Sequence, residues 1–230
     1  MTKFLGIFLI VSFVLGTIEV LYTLRLPKPA KVLRQYVGLP GAGKTTIAAA
    51  FAKDRIKRGY TVLSNVPILG TYMVDKTDFG QVDISQCEVE IDEAGIAFNN
   101  RVLLQPSQVE WFKLHRHYGV GINFFSQRSD CEITIRSMTA EIYQVKKSRI
   151  PYMVTFIRYP MTLLPNETRD NFTPQFGNPK RVLDTYRVFC PSVWKMFDSW
   201  EAPPLPKKDF IKWENVTRYD DLKEEIEFHF

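Results

Sequence analysis

Residues 38–45 read Gly-Leu-Pro-Gly-Ala-Gly-Lys-Thr. The pattern G-x-x-x-x-G-K-[ST] belongs to loops whose backbone N–H groups curl around a phosphate. Gly38, Leu39, Pro40, Gly41, Ala42, Gly43, Lys44, Thr45 and Thr46 would bind ATP, directly ahead of a helix-forming run. A lysine so placed reaches the β- and γ-phosphates of ATP, and the Thr45 hydroxyl can hold Mg²⁺. Further along, Asp92-Glu93 closes a short strand-like run. Asp92 would complete the Mg²⁺ shell with Thr45, and Glu93 would act as general base on the attacking water. The run 122–126 is followed by Gln127, placed to sense the γ-phosphate from the end of an inserted strand. Transfer of that phosphate needs charge neutralised, commonly by an arginine from a neighbouring subunit. Arg128 and Arg136 are the candidates, ahead of Arg101.

These residues need elements to hold them. Residues 32–37 read as a strand, and 46–57 as a helix with Ile47, Ala50 and Phe51 at helical spacing. Strands are expected at 60–64, 87–92, 121–126 and 141–147. A helix is expected at 107–118 with Val109, Phe112 and Leu114 inward. The alternation predicts an α/β fold, a P-loop NTPase with a mostly parallel sheet and helices on both faces. Glu88 and Glu90 alternate with Cys87, Val89 and Ile91, which predicts one wet face on that strand. Residues 152–159 read as an edge or hairpin strand, and 160–179, with four prolines, as an exposed loop. His115 and His117 read as a solvated helix end.

Residues 4–24 are apolar apart from Glu19, and long enough as a helix to cross a hydrocarbon core of ~30 Å. Lys3 precedes this stretch, and Arg25, Lys28, Lys31 and Arg34 follow it. The charge bias predicts a single pass with the N-terminus out and the remainder in the cytoplasm, on the side of ATP. Pro27 and Pro29 make a stiff linker. The expected organisation is an N-terminal membrane anchor and linker over 1–31, an ATPase domain over 32–201 and an acidic tail over 202–230. The chain's net charge is +5, yet residues 201–230 carry eight acidic and five basic side chains, leaving +8 on the rest. A basic body suits a polyanion or an anionic membrane surface. Three widely spaced cysteines give neither a disulfide framework nor a zinc spacing.

With these residues in place, the chain resembles the zonula occludens toxin family, which includes the filamentous-phage assembly ATPases. The resemblance rests on the 38–45 loop, Ser64-Asn65-Val66-Pro67, Ile91-Asp92-Glu93-Ala94, His115-Arg116-His117-Tyr118-Gly119, Ser126-Gln127, Ile135-Arg136, the 143–147 strand and Phe197-Asp198-Ser199-Trp200. It implies a bacterial inner-membrane ATPase, working as a homo-oligomer on phage nucleoprotein or coat subunits, with single-stranded DNA as a further partner. One departure stands out. In the best-known relatives the membrane span follows the ATPase domain, whereas here the apolar stretch precedes it. Two other readings fit the same residues: a DNA-packaging or conjugation ATPase of the FtsK–HerA kind, and a non-enzymatic nucleotide-binding membrane scaffold.

Overall fold

Apolar runs alternating with helix-forming runs can bury both only by stacking helices on the two faces of one sheet. The computed structural model describes residues 2–99, 103–127, 131–166, 169–176 and 181–198. In chain order the elements are α1 (Thr2–Thr23), β1 (Leu33–Val37), α2 (Lys44–Lys57), β2 (Thr61–Ser64), β3 (Tyr72–Met73), β4 (Cys87–Ile91), α3 (Ala94–Ala97) and α4 (Pro106–Leu114). There follow β5 (Gly121–Ser126), α5 (Ile133–Ser137), β6 (Glu141–Lys147), β7 (Met153–Tyr159), β8 (Met161–Asn166), β9 (Arg169–Phe176) and β10 (Asp184–Phe189). Eight strands form a sheet in the order β10-β7-β6-β1-β5-β4-β2-β3. From β6 to β3 every neighbouring pair is parallel, while β7 and β10 extend the sheet antiparallel.

On one face α2 buries Ile47, Ala48 and Phe51 among Tyr36, Phe125 and Tyr143. Tyr36 stacks between Phe125 and Tyr143, with ring centroids 4.9 and 4.7 Å away. On the other face Phe112 of α4 and Ile135 of α5 pack with Val89, Ile122 and Phe124. Each buried phenylalanine stabilises the fold by roughly 1.5–3 kcal/mol, so helices on both sides hold β1, β4 and β5 in register.

The structure departs from the sequence expectations in several places. β4 has no wet face, because Glu88 and Glu90 are buried beneath α2 together with Arg55 and Asn123. β7 is half of a hairpin with β6, as one reading had it, but it is no edge, since β10 covers it. The proline-bearing stretch is not a loop over its described segments Met161–Asn166 and Arg169–Phe176. Its described residues form the β8–β9 ribbon, whose partners run from Met161 opposite Phe176. α4 turns Gln108, Trp111 and Phe112 inward, leaving Val109 and Leu114 half-buried. His115 is buried, its Nδ1 2.6 Å from the Phe112 carbonyl, and burial lowers its pKa; His117 is exposed.

The N-terminal apolar stretch forms α1, whose described side chains from Ile7 onward are mostly exposed, Phe8 and Phe13 among them. Among the described residues no helix is long and apolar enough to cross a membrane, and the side chains of α1 are described only from Ile7. The last turns of α1 are tied to β10. Arg187 donates to the Thr23 hydroxyl and lies 3.4 Å from a Glu19 carboxylate oxygen. Arg25 pairs with Asp184 at 3.2 Å and lies over the Tyr22 ring.

Candidate nucleotide site

In an open parallel sheet, ligands bind outside the carboxyl ends of the strands where crossovers diverge. Here β1 feeds α2 and then β2 on one side, while β5 feeds α5 and then β6 on the other. The carboxyl ends of β1, β5, β4 and β2 therefore bring residue 38, Gln127, Asp92 and Asn65 to one edge. Gly38 N–H donates to the Ser126 carbonyl at 3.1 Å, fastening the loop to the end of β5.

Two glycines make the loop possible. A Cβ on Gly38 would lie 2.8 Å from both Cβ and the carbonyl oxygen of Val145, so β6 passes too close for any side chain. Gly43 sits at φ +95°, and a Cβ there would meet Val154 Cγ2 at 2.4 Å. Gly43 caps α2, whose first N–H groups, on Lys44, Thr45 and Thr46, have no partner one turn back. Such groups with the helix dipole favour an anion. Lys44 is buried, and its ammonium donates to the carbonyls of Gly38 at 3.1 Å and Leu39 at 3.4 Å, inside the curve of the loop.

Across from the loop, Thr45 Oγ1 donates to Asp92 Oδ2 at 2.5 Å. The other Asp92 oxygen accepts the Glu93 N–H at 2.9 Å. Asn65 clasps the Asp92 backbone at two points: its Oδ1 accepts the Asp92 N–H at 2.7 Å, and its Nδ2 donates to the Asp92 carbonyl at 2.8 Å. Glu93 adopts φ 45°, ψ 47°. A glutamate rarely takes this left-handed conformation, which costs about 1 kcal/mol and collects at functional sites. The turn brings Glu93 Oε1 to 3.5 Å from Gln127 Nε2, a long contact. β5, which carries Gln127 at its end, lies between β1 and β4, the inserted position expected for it.

Thr45 and Asp92 offer two hard oxygens side by side. Among the described residues there is no group of three or more His, Cys, Asp or Glu suited to a metal. This donor set fits Mg²⁺, which takes one or two protein oxygens and fills its octahedron with phosphate and water.

Of the arginine candidates, one lies among the described residues. Arg136 is half-buried on α5. That helix descends toward the opposite edge of the sheet, where Ala140 N–H donates to the Leu33 carbonyl at the start of β1. Arg101 and Arg128 lie outside the described residues, as do 202–230 and the Ser199-Trp200 pair of the resemblance. Asn65 is the residue whose part the spacing of types did not disclose. Its signal was its position, directly after a strand and before Val66-Pro67.

Together the sheet order, the loop with its inward lysine and the Thr45–Asp92 pair define a P-loop NTPase fold. No family model and no curated protein matches the sequence. In structure the chain is similar to the N-terminal domain of zonular occludens toxin from Neisseria meningitidis, at 16% identity and TM-score 0.46, covering 73% of this chain and 98% of that one. It is also similar to the genome packaging NTPase B204 from Sulfolobus turreted icosahedral virus 2 in complex with ATP-gammaS, at 13% identity and TM-score 0.44, covering 64% and 98%. A third is the flagellar accessory protein FlaH from Methanocaldococcus jannaschii, at 8% identity and TM-score 0.41, covering 65% and 91%.

Proposed function

We propose that the chain is a membrane-anchored, homo-oligomeric ATPase whose hydrolysis of ATP drives assembly and extrusion of filamentous phage virions. The ATPase reading is carried by one observation, the 2.5 Å approach of Thr45 Oγ1 to Asp92 Oδ2 beside the loop that encloses Lys44. Thr45 and Asp92 would hold Mg²⁺, which when bound neutralises charge on the phosphate oxygens. Gly38, Leu39, Pro40, Gly41, Ala42 and Gly43 shape the phosphate cradle, and the N–H groups of Lys44, Thr45 and Thr46 point donors into it. The Lys44 ammonium exchanges its carbonyl partners for phosphate oxygens. Glu93 accepts a proton from the attacking water, and Gln127 beside it orients that water. Arg136, with Arg101 and Arg128, is a candidate to reach the site of a neighbouring copy.

The membrane part of the proposal is supported by α1, a helix of 22 residues with exposed apolar side chains and basic residues after it. The charge bias supports the inner membrane with the ATPase domain in the cytoplasm. The choice of phage nucleoprotein or coat subunits as substrate, with single-stranded DNA among the partners, is supported by the sequence resemblance set out above.

Lys44→Ala in the full chain tests the ATPase reading. The variant should keep the far-ultraviolet circular dichroism of the parent and lose roughly 10²–10³-fold in ATP turnover. Turnover equal to the parent's would end the assignment.

A further inference from the structure

Between the end of α1, β10 and the C-terminal half of α2 lies a cavity of about 360 Å³. Its walls are of two kinds: Leu24, Val188 and Val193 are apolar, while Lys53, Lys57 and Arg187 are cationic. The acid among its lining residues, Asp54, is engaged, because Arg55 and Arg58 both donate to its carboxylate. Lys53 and Lys57 are one turn apart on α2 and share a face. Lys53 donates to the Ser192 carbonyl at 2.6 Å, a contact that leaves its charge uncompensated. No acid pairs with either lysine among the described residues.

The position of the cavity gives this charge a meaning. Arg187 joins it to the last turns of α1 through Thr23 and Glu19. If α1 crosses a bilayer, its C-terminal end lies at headgroup depth, where basic pockets capture anionic headgroups. Leu21 and Leu24, exposed beside it, offer surface for an acyl chain. A soluble anion would leave the apolar walls wet, and a zwitterionic lipid would bring a cation of its own to a cavity already lined by Lys53, Lys57 and Arg187. We propose that this cavity binds one anionic phospholipid, its phosphate taken by Lys53 and Lys57 and its upper acyl chain laid along Leu24 and Val188. The inference rests on the membrane reading of α1.

The test uses the full chain in non-ionic detergent, titrated with dioctanoyl phosphatidylglycerol, its phosphatidylcholine counterpart and glycerophosphoglycerol, which has no acyl chains. The glycerol lipid should bind in preference to the choline lipid. Lys53→Gln with Lys57→Gln should weaken it about thirtyfold, some fivefold per lysine, as expected for about 1 kcal/mol each. ATP binding by the double variant checks that it is folded. Equal binding of the two lipids, no change in the double variant, or full competition by glycerophosphoglycerol would each overturn the proposal. Flotation of the parent chain with pure phosphatidylcholine vesicles separates the two claims. A chain that floats yet fails the titration loses only the lipid site, and one that does not float loses the membrane reading and this site with it.

Discussion

β4 and the turn after it carry two sets of carboxylates that differ in partners rather than in depth. Strand alternation puts Glu88, Glu90 and Asp92 on one face, and Glu88 and Asp92 are 4% and 5% exposed. At the strand end, both Asp92 oxygens are bonded and its backbone is clasped by Asn65. Two residues back, Glu90 accepts one bond from Asn123 at 2.9 Å, and its other oxygen is buried without a hydrogen-bond partner among the described residues. One Glu88 oxygen is in the same position. Burial raises the pKa of both glutamates, with Glu88 adding to the effect on Glu90, while Arg55 and Arg34 oppose it. Depth alone therefore does not mark a functional carboxylate. What marks Asp92 is that both its carboxylate oxygens are bonded, one of them to Thr45 directly after the phosphate loop.

The contrast breaks most visibly at Glu93. Glu93→Gln should still bind ATP but lose roughly 10²–10⁴-fold in turnover, the usual contribution of a general base. A normal single-turnover rate would remove Glu93 from that role. Asn65→Ala comes next. It frees the Asp92 backbone without touching its carboxylate, so under the metal-holding role proposed for Asp92 a loss of about 10–100-fold is expected. Raising Mg²⁺ should restore much of the Asn65→Ala turnover and none of the Glu93→Gln turnover. An Asn65→Ala defect indifferent to Mg²⁺ would show that the clasp does not serve the metal side of the site.

The phosphate loop, the acidic pair and the parallel core were legible in the sequence because each is a local pattern. Gly-rich spacing, an Asp-Glu pair closing a run and helix-forming stretches between strands all speak through near neighbours. β5 and β6 were readable to the residue, since their ends coincide with Gly121–Ser126 and Glu141–Lys147. What escaped depends on contacts distant in sequence. Glu88 and Glu90 looked solvated because nothing nearby announces that α2 covers them. Asn65 acquires its part only when β2 and β4 pair and bring it against Asp92. The Gly38 and Gly43 contacts with Val145 and Val154 likewise need the β6–β7 hairpin to be in place. Prolines argued for a loop over 160–179, yet a two-stranded ribbon can carry them where their missing N–H faces outward.

The smallest expected effect sharpens the comparison from the other side. Glu90→Gln keeps an acceptor for Asn123 and removes an ionisable group from the interior. In the parent, the raised folded-state pKa of Glu90 means that the folded chain holds this proton more tightly than the unfolded chain. Below the usual value of 4.5 both states are protonated, and the glutamate carries no ionisation penalty. As pH rises from there, the unfolded chain releases the proton first, so stability falls until the folded value is passed. The glutamine variant does not follow that decline. Thermal melts should thus coincide near pH 4 and separate by pH 8, with the variant higher by roughly 2–4 °C for each kcal/mol gained. Its turnover at pH 8 should stay within about twofold of the parent's, since Glu90 lies below the phosphate loop and lends no oxygen to it. A variant melting below the parent at pH 8 would mean that ionised Glu90 is held by Arg55 or Arg34 more firmly than burial opposes it, and the distinction between the two carboxylate sets would fail.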